Sequence, residues 1–216
     1  MEIKVLRDVL EANELIARQN RQLFDQHGLY VVNLMASPGA GKTSLLERTL
    51  ERLGGELRMG VITGDVATQF DAERLGRHGV PVLQINTGGE CHLDASMIRR
   101  ALDEFDLEGL EVLFIENVGN LICPAEFVLG EDARVMILST PEGDDKPEKY
   151  PLMFRQSKAL VINKIDLLGM VDFDLDRAKE RAWRINPKLA IFPLSCRTGE
   201  GLEAWFDWLR REVGSR

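Results

Sequence analysis

Eight residues carry the densest chemistry in this chain: Ala36-Ser37-Pro38-Gly39-Ala40-Gly41-Lys42-Thr43. A glycine-bearing turn ending in Lys-Thr aims backbone N–H groups, an ammonium and a hydroxyl at one point. That combination suits a chain of phosphates. Lys42 is placed to reach the β- and γ-phosphates, and the Thr43 hydroxyl to complete the shell of a Mg2+ ion. Gly39, Ala40, Gly41 and Ser44 supply the remaining contacts of such a loop. Ala36 stands where the pattern usually begins with glycine, a mild change if its backbone stays at negative φ.

A second segment, Asn163-Lys164-Ile165-Asp166, follows a short apolar run. The Asp166 carboxylate can accept hydrogen bonds from both the N1–H and the 2-amino group of guanine. Adenine offers neither donor there, so the wrong base leaves buried groups unpaired. Lys164 would lie along the base plane and Asn163 would tie loops together, which specifies GTP and GDP. Ser195-Cys196-Arg197-Thr198-Gly199 follows the last apolar run and fits a further base-contacting loop; an ordinary strand-to-helix turn would read the same way.

Two carboxylates compete for the metal and the attacking water. Glu116 ends an apolar run and is followed by Asn117-Val118-Gly119, so it can hold Mg2+ while the Gly119 N–H approaches the γ-phosphate. Asp65, in Thr63-Gly64-Asp65-Val66-Ala67-Thr68, can bind the same ion, orient water, or merely cap a loop. Lys42, Asp65 and Glu116 are thus the catalytic candidates. No arginine is placed as an internal finger, and slow intrinsic hydrolysis is expected.

A softer donor set lies between these segments. Cys91 and His92 sit in Asn86-Thr87-Gly88-Gly89-Glu90-Cys91-His92-Leu93-Asp94, and Cys123 lies seven residues beyond Glu116. Two thiolates and an imidazole suit Ni2+ or Zn2+ far better than Mg2+. By spacing alone, two buried structural cysteines and a surface histidine are the better fit, because no paired C-x-x-C is present. Cys196 belongs with the base loop, and His78 with a helix end.

These residues need a scaffold that brings several loop ends to one edge. Apolar runs at Tyr30–Met35, Arg58–Thr63, Pro81–Asn86, Glu111–Ile115, Arg134–Ser139, Ala159–Ile162 and Ala190–Pro193 read as strands. Helical stretches at Ser44–Leu53, Asp71–His78, Asp94–Glu104, Asp174–Ile185 and Gly201–Val213 alternate with them. That alternation predicts an α/β fold, a mostly parallel central sheet with helices on both faces. In such a sheet the strand ends converge on one crevice. Residues 1–27 carry Ile3, Leu6, Leu10, Leu15, Ile16, Leu23 and Phe24 at near-helical spacing, predicting an amphipathic helix packed on the domain formed by residues 28–216. Thr140 to Tyr150 reads as a long polar loop.

The chain's 216 residues suffice for one such domain. A formal net charge of −8 disfavours nucleic-acid binding. No apolar run approaches the ~20 residues that span a bilayer, and the start lacks a signal-peptide layout. Three cysteines fit a reducing compartment, so a cytoplasmic location is expected.

Taken together and in order, the motifs closely resemble those of the hydrogenase nickel-incorporation GTPases, the HypB family. The resemblance runs from about Leu10 to Leu209. It is carried by Ser37–Thr43, Gly64-Asp65-Val66, Glu90-Cys91-His92-Leu93-Asp94, Glu116-Asn117-Val118-Gly119-Asn120-Leu121, Glu142-Gly143-Asp144-Asp145-Lys146-Pro147, Asn163–Asp166 and Thr198-Gly199-Glu200-Gly201-Leu202. It implies a SIMIBI-type G domain that dimerises, hydrolyses GTP and serves as a metallochaperone for nickel–iron hydrogenase. It further implies that Cys91, His92 and Cys123 match the family's metal-binding residues, with metal at or near a subunit interface. Expected partners are a second copy of the chain, a hydrogenase maturation zinc or nickel protein, and the hydrogenase large subunit.

Some members of that family carry an N-terminal Cys-rich motif or a His-rich tract; residues 1–27 contain no Cys and one His, His27, so no separate storage site is expected. The related urease-accessory nickel GTPases carry a Cys-Pro-His motif, whereas Cys91 and His92 here are adjacent. A signalling GTPase would leave the cysteines unexplained, and a small-molecule kinase would leave Asp166 unexplained. A purely structural metal protein would have no use for Lys42 and Thr43.

Overall fold

The computed structural model describes residues 2–65 and 70–216, with side chains from residue 9 onward. The expectations placed on Val66, Ala67 and Thr68, and on the side chains of Ile3 and Leu6, lie outside the described residues.

Among the described residues, seven strands form one sheet: β1 Tyr30–Ala36, β2 Met59–Asp65, β3 Val82–Asn86, β4 Val112–Glu116, β5 Ala133–Ser139, β6 Ala159–Asn163 and β7 Ala190–Pro193. Their order is β3-β2-β4-β1-β5-β6-β7 and every pairing is parallel, so the expected mostly parallel sheet is wholly parallel. Each crossover therefore needs a helix or long loop, and both faces are covered. The helices are α1 Glu2–Gln26, α2 Lys42–Leu53, α3 Phe70–Gly76, α4 Ala95–Leu102, α5 Cys123–Glu126, α6 Lys146–Lys149, α7 Pro151–Gln156, α8 Leu175–Ile185 and α9 Leu202–Gly214.

β1 is central and fully buried. Its side chains alternate as the two-residue repeat demands. Tyr30, Val32, Leu34 and Ala36 pack into a core beneath α2 and α9, while Val31 and Met35 join two separate apolar clusters on the other face. Trp205 of α9 is fully buried, stacks on Trp208 at 5.1 Å and donates from Nε1 to Thr49 Oγ1 at 3.0 Å. A buried indole thereby covers apolar area without orphaning its one donor.

Helix starts explain most shifted boundaries. Asp94 and Asp174 lie outside α4 and α8 as N-caps, each side chain accepting from the backbone three residues on. α2 begins at Lys42, two residues before its expected start, because the phosphate loop runs straight into it. α3 starts at Phe70 and ends at Gly76, short of His78.

Thr140 to Tyr150 is not the open loop expected. A 3-10 turn over Thr140–Glu142 is closed by a capping box in which Glu142 accepts from the Ser139 backbone, and α6 follows. Prolines at the first turn of α5, α6 and α7 start helices too short to show a helical period.

α1 also departs from its pattern. Leu15 is 59% exposed, and the stripe that docks is Asn13, Ala17, Asn20 and Phe24. Among the described residues no helix is long and apolar enough to cross a membrane.

Candidate nucleotide and metal site

The C-terminal ends of β1, β2, β4 and β6 deliver the phosphate loop, Asp65, Glu116 and Asn163 to one edge of the sheet. Ala36, the departure from the usual pattern, closes β1 fully buried. Gly39 and Gly41 take φ of +72° and +108°, conformations that a side chain would strain. A Cβ on Gly41 would lie 2.3 Å from Asn163 Nδ2. The turn can therefore pass under Asn163 only as glycine.

Two clefts flank this loop. One, of about 450 Å³, is lined by Lys42, Thr43, Asp65, Asp71, Arg74 and Glu116 among others. Here Thr43 Oγ1 donates to Glu116 Oε1 at 2.8 Å. Glu116 is 4% exposed, and its other oxygen is buried with no hydrogen-bond partner among the described residues. Burial pushes the Glu116 carboxyl up to about 7, against the pull of Lys42 and the Thr43 hydroxyl. Burial likewise pushes the Lys42 ammonium below its ordinary range, opposed chiefly by Glu116. A Cβ on Gly119 would approach Pro38 at 3.0 Å, so the segment after Glu116 lies directly against the phosphate loop.

The second cleft, of about 540 Å³, is lined by Arg48, Asn163, Lys164, Asp166, Leu167 and Cys196 among others, and shares Gly39, Gly41 and Ser44 with the first. Asn163 knits the segments together. Its Nδ2 donates to Ala40 O at 2.9 Å, and its Oδ1 accepts from Lys164 N and Cys196 N at 2.8 and 3.1 Å. Lys164 has φ +65°, the sole non-glycine in the left-handed region among the described residues, and its Nζ donates to Gly39 O at 2.7 Å. Ser195 Oγ donates to Asp166 Oδ1 at 2.6 Å while accepting from Arg197 N and Thr198 N at 3.2 and 3.1 Å.

The third grouping lies across β2. Cys91 Sγ is 3.0 Å from Cys123 Sγ and 3.8 Å from His92 Nδ1, and one ligand atom from each residue falls within 4.8 Å of the others. Neither thiol is the buried structural residue that the spacing also allowed: Cys91 is exposed and Cys123 partly so. Hydrogen bonding to Cys91 holds the Cys123 thiol above its ordinary range, with burial adding to it. A cation between the sulfurs would reverse that direction by favouring thiolates. The His92 ring packs against Phe127 with centroids 4.1 Å apart. Cys196, by contrast, is buried in the base-side cleft, away from this group.

Sequence reasoning gave three residues no role at the site, although Glu142 stands in one of the motifs that carry the resemblance. Arg74 lines the phosphate-side cleft, its guanidinium on Glu47 (3.2 Å from Nε) and Asp71 (3.3 Å). Asp71 was visible only as a helix start. Glu142 accepts from Ser37 Oγ of the phosphate loop, a contact between residues 105 apart in the chain. A helical run carrying Asp and Arg gives no hint that it borders a cleft.

A wholly parallel sheet with a glycine loop between its central strand and a helix, and strand-end carboxylates beside it, defines a phosphate-loop NTPase. Residues 30–193 match the CobW/HypB/UreG nucleotide-binding domain. The hydrogenase maturation factor HypB of Azotobacter vinelandii is 49% identical over 215 residues, 99% of this chain and 71% of that protein. The crystal structure of HypB from Helicobacter pylori in complex with nickel superposes with a TM-score of 0.89 at 39% identity, over 94% of this chain and 96% of that one. The signal recognition particle receptor FtsY of Elizabethkingia anophelis shares the fold alone: TM-score 0.51, 16% identity, 89% and 70% of the two chains. This chain belongs to the HypB family of hydrogenase maturation factors.

Proposed function

We propose that the chain is a GTP-hydrolysing metallochaperone that carries nickel, or zinc, toward nickel–iron hydrogenase, with nucleotide state governing dimerisation and metal release. One observation carries the reading. The segment that begins at Glu116, 2.8 Å from the phosphate-loop Thr43, ends at Cys123, 3.0 Å from Cys91. Nucleotide and metal are read by opposite ends of one short loop.

In this reading the backbone N–H groups of Gly39 to Thr43 and the Lys42 ammonium hold the β- and γ-phosphates. Asp166 accepts from the guanine edge, Ser195 and Cys196 close the base side, and the Gly119 N–H faces the γ-phosphate. Water attacks the γ-phosphorus as its bond to the bridging oxygen breaks, giving GDP and phosphate, with Asp65 positioning the water. The donor set fits a Mg2+ ion, since a buried carboxylate oxygen of Glu116 without a partner lies beside a hydroxyl. Thr43, Asp65 and Glu116 would hold it, and when bound it neutralises charge on the phosphate oxygens.

Cys91, His92 and Cys123 offer three soft ligands and leave a fourth position for water, backbone or a second subunit. Ile122, beside Cys123, is 60% exposed, which suits a homodimer contact at this edge. The adjacency of Cys91 and His92 favours this reading over the urease-accessory one. Residues 28–216 form the G domain with α1 packed on it, and a hydrogenase maturation protein and the hydrogenase large subunit are the partners.

The deciding experiment titrates Ni2+ into the purified protein with GDP and with a non-hydrolysable GTP analogue, reading metal occupancy and oligomeric state. Occupancy that requires Cys91 and differs between the two nucleotides is expected. Equal affinity and equal oligomeric state in both would sink the proposed coupling.

A further inference from the structure

A file of buried amides runs under both metal-bearing loops. Asn117 is fully buried, and its Oδ1 accepts from Leu93 N and from Val118 N, both at 3.0 Å. Two backbone donors fix the orientation of its amide, so Nδ2 points the other way and donates to Asn33 Oδ1 at 3.2 Å. Asn33, fully buried on the central strand β1, passes its own Nδ2 to Glu131 Oε1 at 3.3 Å. Glu131 also receives Arg134 Nε at 2.6 Å and Leu129 N at 2.7 Å. Arg134 in turn donates to Ala125 O, in the helix that Cys123 begins, at 2.8 Å. From Leu93 N to Asn33 Nδ2 every donor meets an acceptor, and the direction cannot be reversed without opposing two donors; only Arg134 Nη2, at the end of the file, is buried without a partner among the described residues.

α1 closes the frame from outside. Asn13 Oδ1 accepts from Ala95 N at 2.8 Å while its Nδ2 donates to Val128 O at 2.8 Å. Asn20 Nδ2 donates to Ala95 O at 2.9 Å and to Leu129 O at 3.1 Å. Each asparagine thus spans from just after the Cys91-His92 loop to just after the Cys123 helix. The far ends of both loops are pinned to one another and to α1. Inside those anchors, Leu93 N, just after His92 and two residues before Ala95, and Val118 N, at the start of the Cys123 loop, meet at a single atom, Asn117 Oδ1.

We infer that Asn117 is the positioning residue that transmits the state of the β4 strand end to the Cys91–His92–Cys123 group. Val118 and Leu93 share its oxygen, so displacement of the segment between Glu116 and Gly119 is passed to the residue next to His92. With the outer ends fixed, that movement changes the spacing of the ligands rather than swinging both loops together. Leu93 has a second link to the nucleotide side: a Cβ on Gly64, next to Asp65, would lie 2.7 Å from its side chain. A buried amide suits this task because unmaking either bond orphans a backbone N–H, which makes the joined arrangement discrete. The inference rests on the metallochaperone reading above.

The test is a pair of Ni2+ titrations on the full chain, one with saturating GDP and one with a saturating non-hydrolysable GTP analogue, taking the ratio of affinities as the coupling. Coupled sites typically give ratios of ~5- to 150-fold. Asn117→Ala is expected to bring the ratio to within about twofold of one while Ni2+ still binds through Cys91. Asn117→Asp, which burial would hold as the neutral acid, still accepts both N–H groups on one oxygen and donates its O–H to Asn33 Oδ1, and is expected to recover a ratio clearly above that of Asn117→Ala. Retention of the parent ratio in Asn117→Ala, or no recovery in Asn117→Asp, overturns the inference and leaves the metallochaperone reading standing. Absence of any Cys91-dependent Ni2+ binding in the parent chain overturns both. Should Asn117→Ala fail to fold, Asn33→Ala, which lies outside both clefts, replaces it. A several-fold fall in its ratio supports the relay, and an unchanged ratio rejects it.

Discussion

Replacing Asp166 by Asn should do more than weaken guanine binding; it should redirect base preference, and the structure sets the direction. Ser195 Oγ accepts from Arg197 N and Thr198 N, so its lone pairs are committed and its proton must go to residue 166. An asparagine there has to keep its carbonyl toward Ser195 and turn its NH2 toward the base. The carbonyl can still receive one guanine N–H. The NH2 then faces the other donor, where a charge-assisted bond worth about 1.5–3 kcal/mol is lost and a buried donor is left unpaired at about 1–3 kcal/mol. The sum, roughly 2.5–6 kcal/mol, corresponds to ~10²- to 10⁴-fold weaker binding of GDP. Xanthine carries a carbonyl in place of the 2-amino group and would accept from that same NH2. Isothermal titration with GDP, XDP and ADP on both proteins measures the exchange. Asp166→Asn should bind XDP more tightly than GDP, with ADP weak throughout. Unchanged preference for GDP at parent affinity would mean that the carboxylate does not face the base. In the double variant with Ser195→Ala the orientation is no longer forced, and discrimination between GDP and XDP should narrow.

Two further predictions use other parts of the site. Arg74→Ala removes the one cation of α3 lining the phosphate-side cleft; single-turnover GTP hydrolysis should slow by about 100-fold, as for removal of one charge-stabilising donor, with GTP affinity changed far less, and equal turnover would dismiss a catalytic part for this arginine. Burial pushes the Cys196 thiol up to about 11 from its ordinary 9. The folded state therefore holds that proton over a range in which the unfolded chain releases it, and stability falls as pH rises from about 9 to 11. Between pH 8 and 10.5 the loss should be about 2 kcal/mol, absent from Cys196→Ala, by urea unfolding at both pH values; parallel profiles for the two proteins would refute it.

The fold class and the nucleotide loops were legible because their signals are local. A glycine that must adopt positive φ, an apolar run of strand length and a carboxylate at its end are written in adjacent residues. The metal group was harder. Cys91 and Cys123 are 32 residues apart and meet only because β3 and β4 flank β2 in the sheet. The short helices α5 to α7 escaped because a helix of four to six residues shows no period, and the proline in the first turn of each resembles a turn. α1 misled most. A hydrophobicity pattern chooses Leu15, whereas the helix docks through Asn13 and Asn20, and a buried amide that docks by hydrogen bonds to backbone groups is invisible to any apolar stripe. The contacts of Arg74 and Glu142 were illegible for a related reason, since their partners lie 27 and 105 residues away.

The sheet order has a consequence for how the chain is made. β1, the strand that launches the phosphate loop, has β4 and β5 as its neighbours, and Tyr30 pairs with Val112. On a ribosome adding roughly 5–20 residues each second, β1 therefore waits several seconds or more without either partner. The earlier-made β2 and β3 can pair with each other, but they cannot reach β1 except through β4. Glu116 and Cys123 emerge on the same stretch that ends the wait. Neither ligand-holding edge exists before then, and both arise together. Such non-local pairing makes folding slow and leaves an apolar strand uncovered for aggregation or chaperone capture. A nascent chain stalled before β4 should accordingly be protease-sensitive along β1, and one released after β5 should not.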